Sequence, residues 1–86
     1  MLKKETIKNA YKKIGENVAK ARKKCKMSQL ALSLEMGYKS VSVISFAEIC
    51  LNGAHFNLAH LMQISSILEV PLATFFESVE EIIKNP

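Results

Sequence analysis

The chain has no aspartate, only two histidines and two cysteines, and no long apolar run. Each shortage excludes something. Without aspartate, and with His55 and His60 near no nucleophile or carboxylate dyad, the sequence offers no acid–base or nucleophilic centre, so an enzyme is the least expected class and no catalytic residue is named. Cys25 and Cys50 lack CxxC spacing and accompany no export signal, which points to reduced thiols. Cys25 is expected to be buried as a small hydrophobe. Cys50, His55 and His60 follow one another at five-residue intervals, a spacing that matches no standard zinc pattern; neither metal nor cofactor is expected. No segment approaches the roughly 20 apolar residues of a spanning helix, and MLKKET lacks the apolar stretch of a secretory signal. A cytoplasmic protein with no membrane partner is the resulting expectation. Repeats and low-complexity linkers are absent too.

Eighty-six residues with 49% hydrophobic content suit one small domain. That size is near the lower limit for a self-sufficient core, so dimerisation would help. Charge is unevenly placed. Residues 1–39 hold 11 Lys and Arg against 3 Glu, whereas residues 40–86 hold 1 Lys against 5 Glu, giving +8 and −4. A basic half of this kind suits a polyanion, although lysines could also simply keep a long helix soluble.

From about Thr6 to Lys24, Ile7, Ala10, Tyr11, Ile14, Val18 and Ala21 recur at helical spacing despite Gly15, which predicts one long helix or two abutting ones. Ile7 and Tyr11 read as simple core contacts. Ser28 is a good N-cap for a helix starting at Gln29, on which Leu32 and Met36 share a face and which Gly37 ends in left-handed geometry. A further helix is predicted over Ser40 to Cys50, with Ile44 and Ala47 inward and Val41, Ser42, Ser45 and Phe46 mostly on other faces. Asn57 caps a fourth, with Leu58, Leu61, Ile64 and Leu68 inward and Ser65 where close packing wants a small side chain. Val70-Pro71 restarts the chain into a short fifth helix whose Phe75-Phe76 close the core. Val79, Ile82 and Ile83 allow a last amphipathic turn.

Two helices joined tightly at Gly37 form a helix-turn-helix pattern. Here the chain resembles the phage-repressor and Cro-like regulators, also called the xenobiotic-response-element (XRE) family. IGENVAKARKKCKMSQLALSLEMG carries the resemblance for the first two helices and FNLAHLMQISSILEVPLATFF for the last two, so it covers Ile14 to Phe76. It implies an all-α fold: a compact five-helix domain over 14–76, a basic helical extension over 1–13 and a short tail or last helical turn over 77–86. Between Gly37 and Glu48 the chain has one residue more than the usual family count, and about two more precede Asn57. YKSVSVISFAE is also unusually apolar for a recognition helix.

The resemblance implies a sequence-specific transcription regulator, a repressor acting as a dimer on a palindromic operator in double-stranded DNA. It also implies that Arg22, late in the first helix, pairs with Glu48, near the end of the recognition helix. Gln29 takes the family's phosphate-contacting place, beside Ser28. Asn52, His55 and Asn57 are candidate phosphate contacts on the other side, with Lys23 and Lys24 adding basic charge; such contacts position without specifying sequence. Aligned on Ile44, base readout falls to Val41, Ser42, Ser45 and Phe46, and to Lys39 and Ser40 if the extra residue lies after them. An alternative is an antitoxin or adaptor that holds a partner protein through Leu30 and Leu34, four residues apart on one helix.

Overall fold

Asn17, Val18, Ala21 and Arg22 lie on the inward face of the first helix, and the rest of the chain is arranged around that face. The computed structural model describes residues 1–86 and contains five α-helices and no strand. They are α1 (Lys4–Lys24), α2 (Gln29–Glu35), α3 (Ser42–Ile49), α4 (Leu58–Leu68) and α5 (Val79–Lys84), with 3-10 turns at Leu51–Gly53 and Leu72–Phe76. At 1.5 Å per residue α1 is about 31 Å long, most of the 37 Å long axis of the molecule. It runs unbroken across residue 13. No helix is long and apolar enough to cross a membrane.

The core unites Ile14, Val18 and Ala21 of α1 with Leu32 of α2, Ile44 and Ala47 of α3, Leu61, Ile64 and Leu68 of α4, and Phe56, Phe75 and Val79. Helix ends follow the local chemistry. Ser28 Oγ accepts the Ala31 N–H at 3.0 Å. At the other end of α2, Tyr38 and Gly37 donate to Ser33 O and Leu34 O, a Schellman closure with Gly37 at φ 88°. Asn57 caps α4 through a reciprocal pair: its Oδ1 accepts the His60 N–H while His60 Nδ1 accepts the Asn57 N–H. Glu69 ends α4 at φ 55°, the left-handed position that favours Gly or Asn, and Ser65 Oγ donates to Val70 O at 2.6 Å. Ser65 thus closes the helix end, a role beyond the small packing residue expected from its size.

Several expectations are corrected. The third helix starts at Ser42, because Ser40 folds back through its Oγ toward the Ser42 N–H and leaves 39–41 as a bend. Leu58 is 60% exposed; Phe56, just before the cap, fills the core there instead. The 72–76 segment is 3-10 rather than α, and its threefold repeat aligns Leu72 with Phe75 and turns Phe76 outward, 39% exposed. Cys25 lies beyond the last turn of α1 and is exposed, its Sγ 3.7 Å from Leu68 O. Ile7 is exposed as well, whereas Tyr11 packs partly on the core. Val79 brings α5 into the core, and Asn17 Nδ2 donates to both Phe75 O and Glu77 O at 3.0 Å.

Gly15 explains how α1 and α3 can pack so closely. A Cβ at this position would stand 2.5 Å from Glu48 O and 2.8 Å from Ala47 O. Those are backbone atoms and cannot swing aside. Although alanine favours helix by about 1 kcal/mol over glycine, overpacking costs about 1–3 kcal/mol or more, so the clash dominates. Gly15→Ala is expected to lower the thermal midpoint; a midpoint equal to or above wild type would show that the two helices are not held this tightly.

Candidate nucleic-acid interface

Arg22 is on the last turn of α1 and Glu48 on the last turn of α3, and both are buried. Their contact is bidentate: Arg22 Nε donates to Glu48 Oε2 at 2.7 Å and Nη2 to Oε1 at 3.1 Å. Arg22 Nη1 donates to Met27 O at 2.9 Å, which fixes the link before α2. Gln29 Nε2 donates to Glu48 Oε1 at 2.8 Å. The planar guanidinium matches a carboxylate in a way a lysine could not.

The Gln29 contact was not legible in the sequence, which offered a phosphate contact for this residue. In the fold one of its amide hydrogens serves Glu48, leaving the second hydrogen and the carbonyl for another partner. Ser28 is in a similar position, its oxygen already committed to the cap. These two side chains enter the site as parts of the scaffold first.

Lys39 and Ser40 are exposed and Val41 half-buried in the bend before α3, while Ser42 and Phe46 are exposed and Ser45 half-buried on the helix. All six thus lie at or near the N-terminal end of α3. Ser40 Oγ lies 3.3 Å from Ser42 Oγ, and Ser45 Oγ donates to Ser42 O at 3.4 Å. Apart from the Ser42 N–H, which Ser40 Oγ accepts at 3.4 Å, no side chain caps α3, so the rest of its first turn presents unpaired N–H groups and the positive end of the helix dipole.

Beyond α3 the chain turns sharply, with Cys50 and Asn52 both in left-handed conformation. His55 is held against α1 by stacking on Tyr11, ring centroids 3.9 Å apart. Its Nδ1 lies 3.2 Å from Gly53 O. Since a carbonyl only accepts, it is the Nδ1–H tautomer that makes this contact. Asn52 and Asn57 are exposed nearby. Lys4, Ile7, Lys8 and Tyr11 form one wall of a groove of about 550 Å³ whose other wall is Cys50 and residues 52–55. Burial raises the Cys50 thiol above its ordinary value, and Lys12 and Lys8 pull against it, so both ammonium groups lie near this turn. No three His, Cys or Glu side chains converge to hold a metal ion.

Lys23 is exposed at the end of α1. Lys24 lies elsewhere: it shares a groove with Lys20, Thr74 and Glu77, beside the C-terminal segment. Spacing alone could not separate these two neighbours, which point about 100° apart on the helix. Leu30 and Leu34 are 48% and 57% exposed on α2. No family model matches the chain, and no curated protein or solved structure does either.

Two outcomes follow from this geometry. Glu48→Ala would leave the Arg22 guanidinium buried beside no carboxylate, a loss of about 3–5 kcal/mol against a domain stability of roughly 5–15 kcal/mol. A fall in the thermal midpoint of many degrees is expected, and an unchanged midpoint would refute the role given to the pair. His60 is lowered below its ordinary value first by burial and then by the charge of His55, and its Nδ1 must stay bare to accept the Asn57 N–H. The neutral ring is therefore the folded form. Its contribution is complete above about pH 6.5 and is lost as pH falls below that value and through the lowered folded one. His60→Gln keeps a capping partner without titrating. Between pH 7.5 and 5.5 the wild-type midpoint should drop further than that of the variant, and equal drops would rule the ring out.

Proposed function

We propose that the chain is a sequence-specific DNA-binding transcription regulator with a helix-turn-helix of the phage-repressor and Cro-like type, acting as a dimer on a palindromic operator. The observation that carries this reading is the buried Arg22–Glu48 pair. It ties the end of α3 to α1, while Lys39, Ser40, Ser42 and Phe46 at and before the start of α3 are exposed. A reader helix needs that combination: a fixed angle of entry and a free face. Positive charge supports it further, because the half of the chain that carries +8 includes the helix-turn corner and Lys39. Repression by occluding a promoter is the simplest action for such a domain.

Base readout falls to Ser42 and Phe46, with Lys39, Ser40, Val41 and Ser45 beside them. Serines donate or accept with any base, and Phe46 and Val41 meet a thymine methyl. Such contacts discriminate weakly one by one. Specificity then rests on DNA shape and on two half-sites about one helical turn apart.

A second reading has its own observation. Leu30 and Leu34 form an exposed apolar pair, and a partner protein held there would make the chain an antitoxin or adaptor. Selection of random duplexes on the purified protein separates the two. The expected result is a two-fold symmetric motif, bound more weakly as salt rises, with discrimination reduced by Ser42→Ala and Phe46→Ala at unchanged thermal midpoint. Recovery of no motif would sink the regulator reading; a protein partner lost on Leu30→Glu with Leu34→Glu would put the second in its place.

A further inference from the structure

Helix α1 carries two rows of lysines, and the fold gives them different neighbours. Lys4, Lys8 and Lys12 recur every four residues and adjoin the turn that follows α3: Lys4 and Lys8 line the groove with Asn52 and His55, and Lys12 flanks Glu48 and Ile49. Lys13, Lys20 and Lys24 lie roughly 120–160° around the helix from the middle of that row, by its 100° per residue. They meet the acidic C-terminal segment, Lys13 sharing a groove with Glu81 and Lys20 and Lys24 one with Glu77. The second row therefore has carboxylates within its own molecule. In the first row Lys12 shares its groove with Glu16 and Glu48, but the groove of Lys4 and Lys8 holds no carboxylate, and none of the three is in an ion pair, those present being Lys13–Glu16, Arg22–Glu48 and Lys84–Glu80. Glu5 and Glu16 stand on the outer flank of the first row, neither paired with any of its lysines.

We infer that Lys4, Lys8 and Lys12 form a track for the DNA backbone, carrying one strand from the 52–57 loop along the N-terminal half of α1. The inference rests on the nucleic-acid reading above and extends it to a segment outside the region of family resemblance. Geometry favours it in three ways. Four residues of helix advance about 6 Å, longer than the axial rise of about 3.4 Å per nucleotide because successive phosphates of one strand are further apart along its winding backbone than along the duplex axis. The four-carbon lysine stem absorbs the remaining mismatch. Finally, the Tyr11–His55 stack ties the loop to α1, so a phosphate reached by Asn52 has Lys8 and Lys4 on the facing wall of the same groove. These contacts are blind to sequence. They add affinity on any duplex and steepen its salt dependence, leaving selection to α3.

The test uses the full chain, a duplex obtained by selection and a random duplex, with affinity measured between 50 and 200 mM KCl. Each phosphate contact contributes about 0.9 to the slope of log affinity against log salt. Lys4→Gln with Lys8→Gln should therefore flatten the slope by about 1.8 on both duplexes, and Lys4→Arg with Lys8→Arg should restore it. Lys13→Gln with Lys20→Gln removes the same net charge from the other row and should leave the slope near wild type. All four side chains project from the helix surface, so equal thermal midpoints are expected. Equal flattening by both Gln pairs would overturn the track, leaving only a general charge effect. A wild-type chain that binds neither duplex with a salt slope would bring down the nucleic-acid reading and the track with it. A wild-type slope that Lys4→Gln with Lys8→Gln leaves intact would overturn the track alone.

Discussion

The carboxylate of Glu48 is where the fold is tied together. Three donors converge on its two oxygens, from Arg22 Nε and Nη2 and from Gln29 Nε2, while the same arginine reaches back to Met27 O. One buried ion pair thereby joins the end of α1, the link after it, the start of α2 and the end of α3. Its backbone is constrained too, because Glu48 O packs where Gly15 has no Cβ. Gly15 and Arg22 are seven residues apart, two turns of one helix, and so present the same face to α3. A buried pair is weak evidence for net stability. What it supplies is geometry, and the direction in which Ser42, Ser45 and Phe46 project depends on it.

Electrostatics is organised around the same helix. The acidic second half of the sequence does not neutralise the basic first half uniformly; it folds back along one side of α1, through Glu77 and Glu81, and puts no carboxylate in the groove of Lys4 and Lys8. Net charge alone hides this arrangement. A chain of +4 overall can present one face considerably more positive than that value suggests, and fields of this kind govern association with polyanions.

Much of the fold was legible because local rules and burial agreed. Ser28, Gly37 and Asn57 mark helix ends by chemistry that depends only on neighbouring residues, and Ile44, Ala47, Leu61, Ile64 and Leu68 reach the core that their spacing assigns. Where periodicity misled, a competing local geometry prevailed. Ser40 bent the chain before α3, Phe56 displaced Leu58 from the core, and a 3-10 turn rotated Phe76 to the surface. The candidate site was legible in its positions more than in its bonds. The resemblance implied the pairing of Arg22 with Glu48 and nominated Lys39 to Ser42, Ser45 and Phe46, while Gln29 as a donor to Glu48 and His55 stacked on Tyr11 had no sequence signal.

By itself, then, the sequence determined the helices, their caps and the apolar stripe of each, because those follow from the conformations and transfer energies of residues within a turn or two of one another. The tertiary structure decided which side of a helix meets which partner. Lys23 and Lys24 are equivalent in sequence and divergent in space, and Gly15, which costs helix propensity locally, is required by a carbonyl 33 residues further along the chain. Contacts of that range depend on how all the helices cross at once, and no local pattern encodes them.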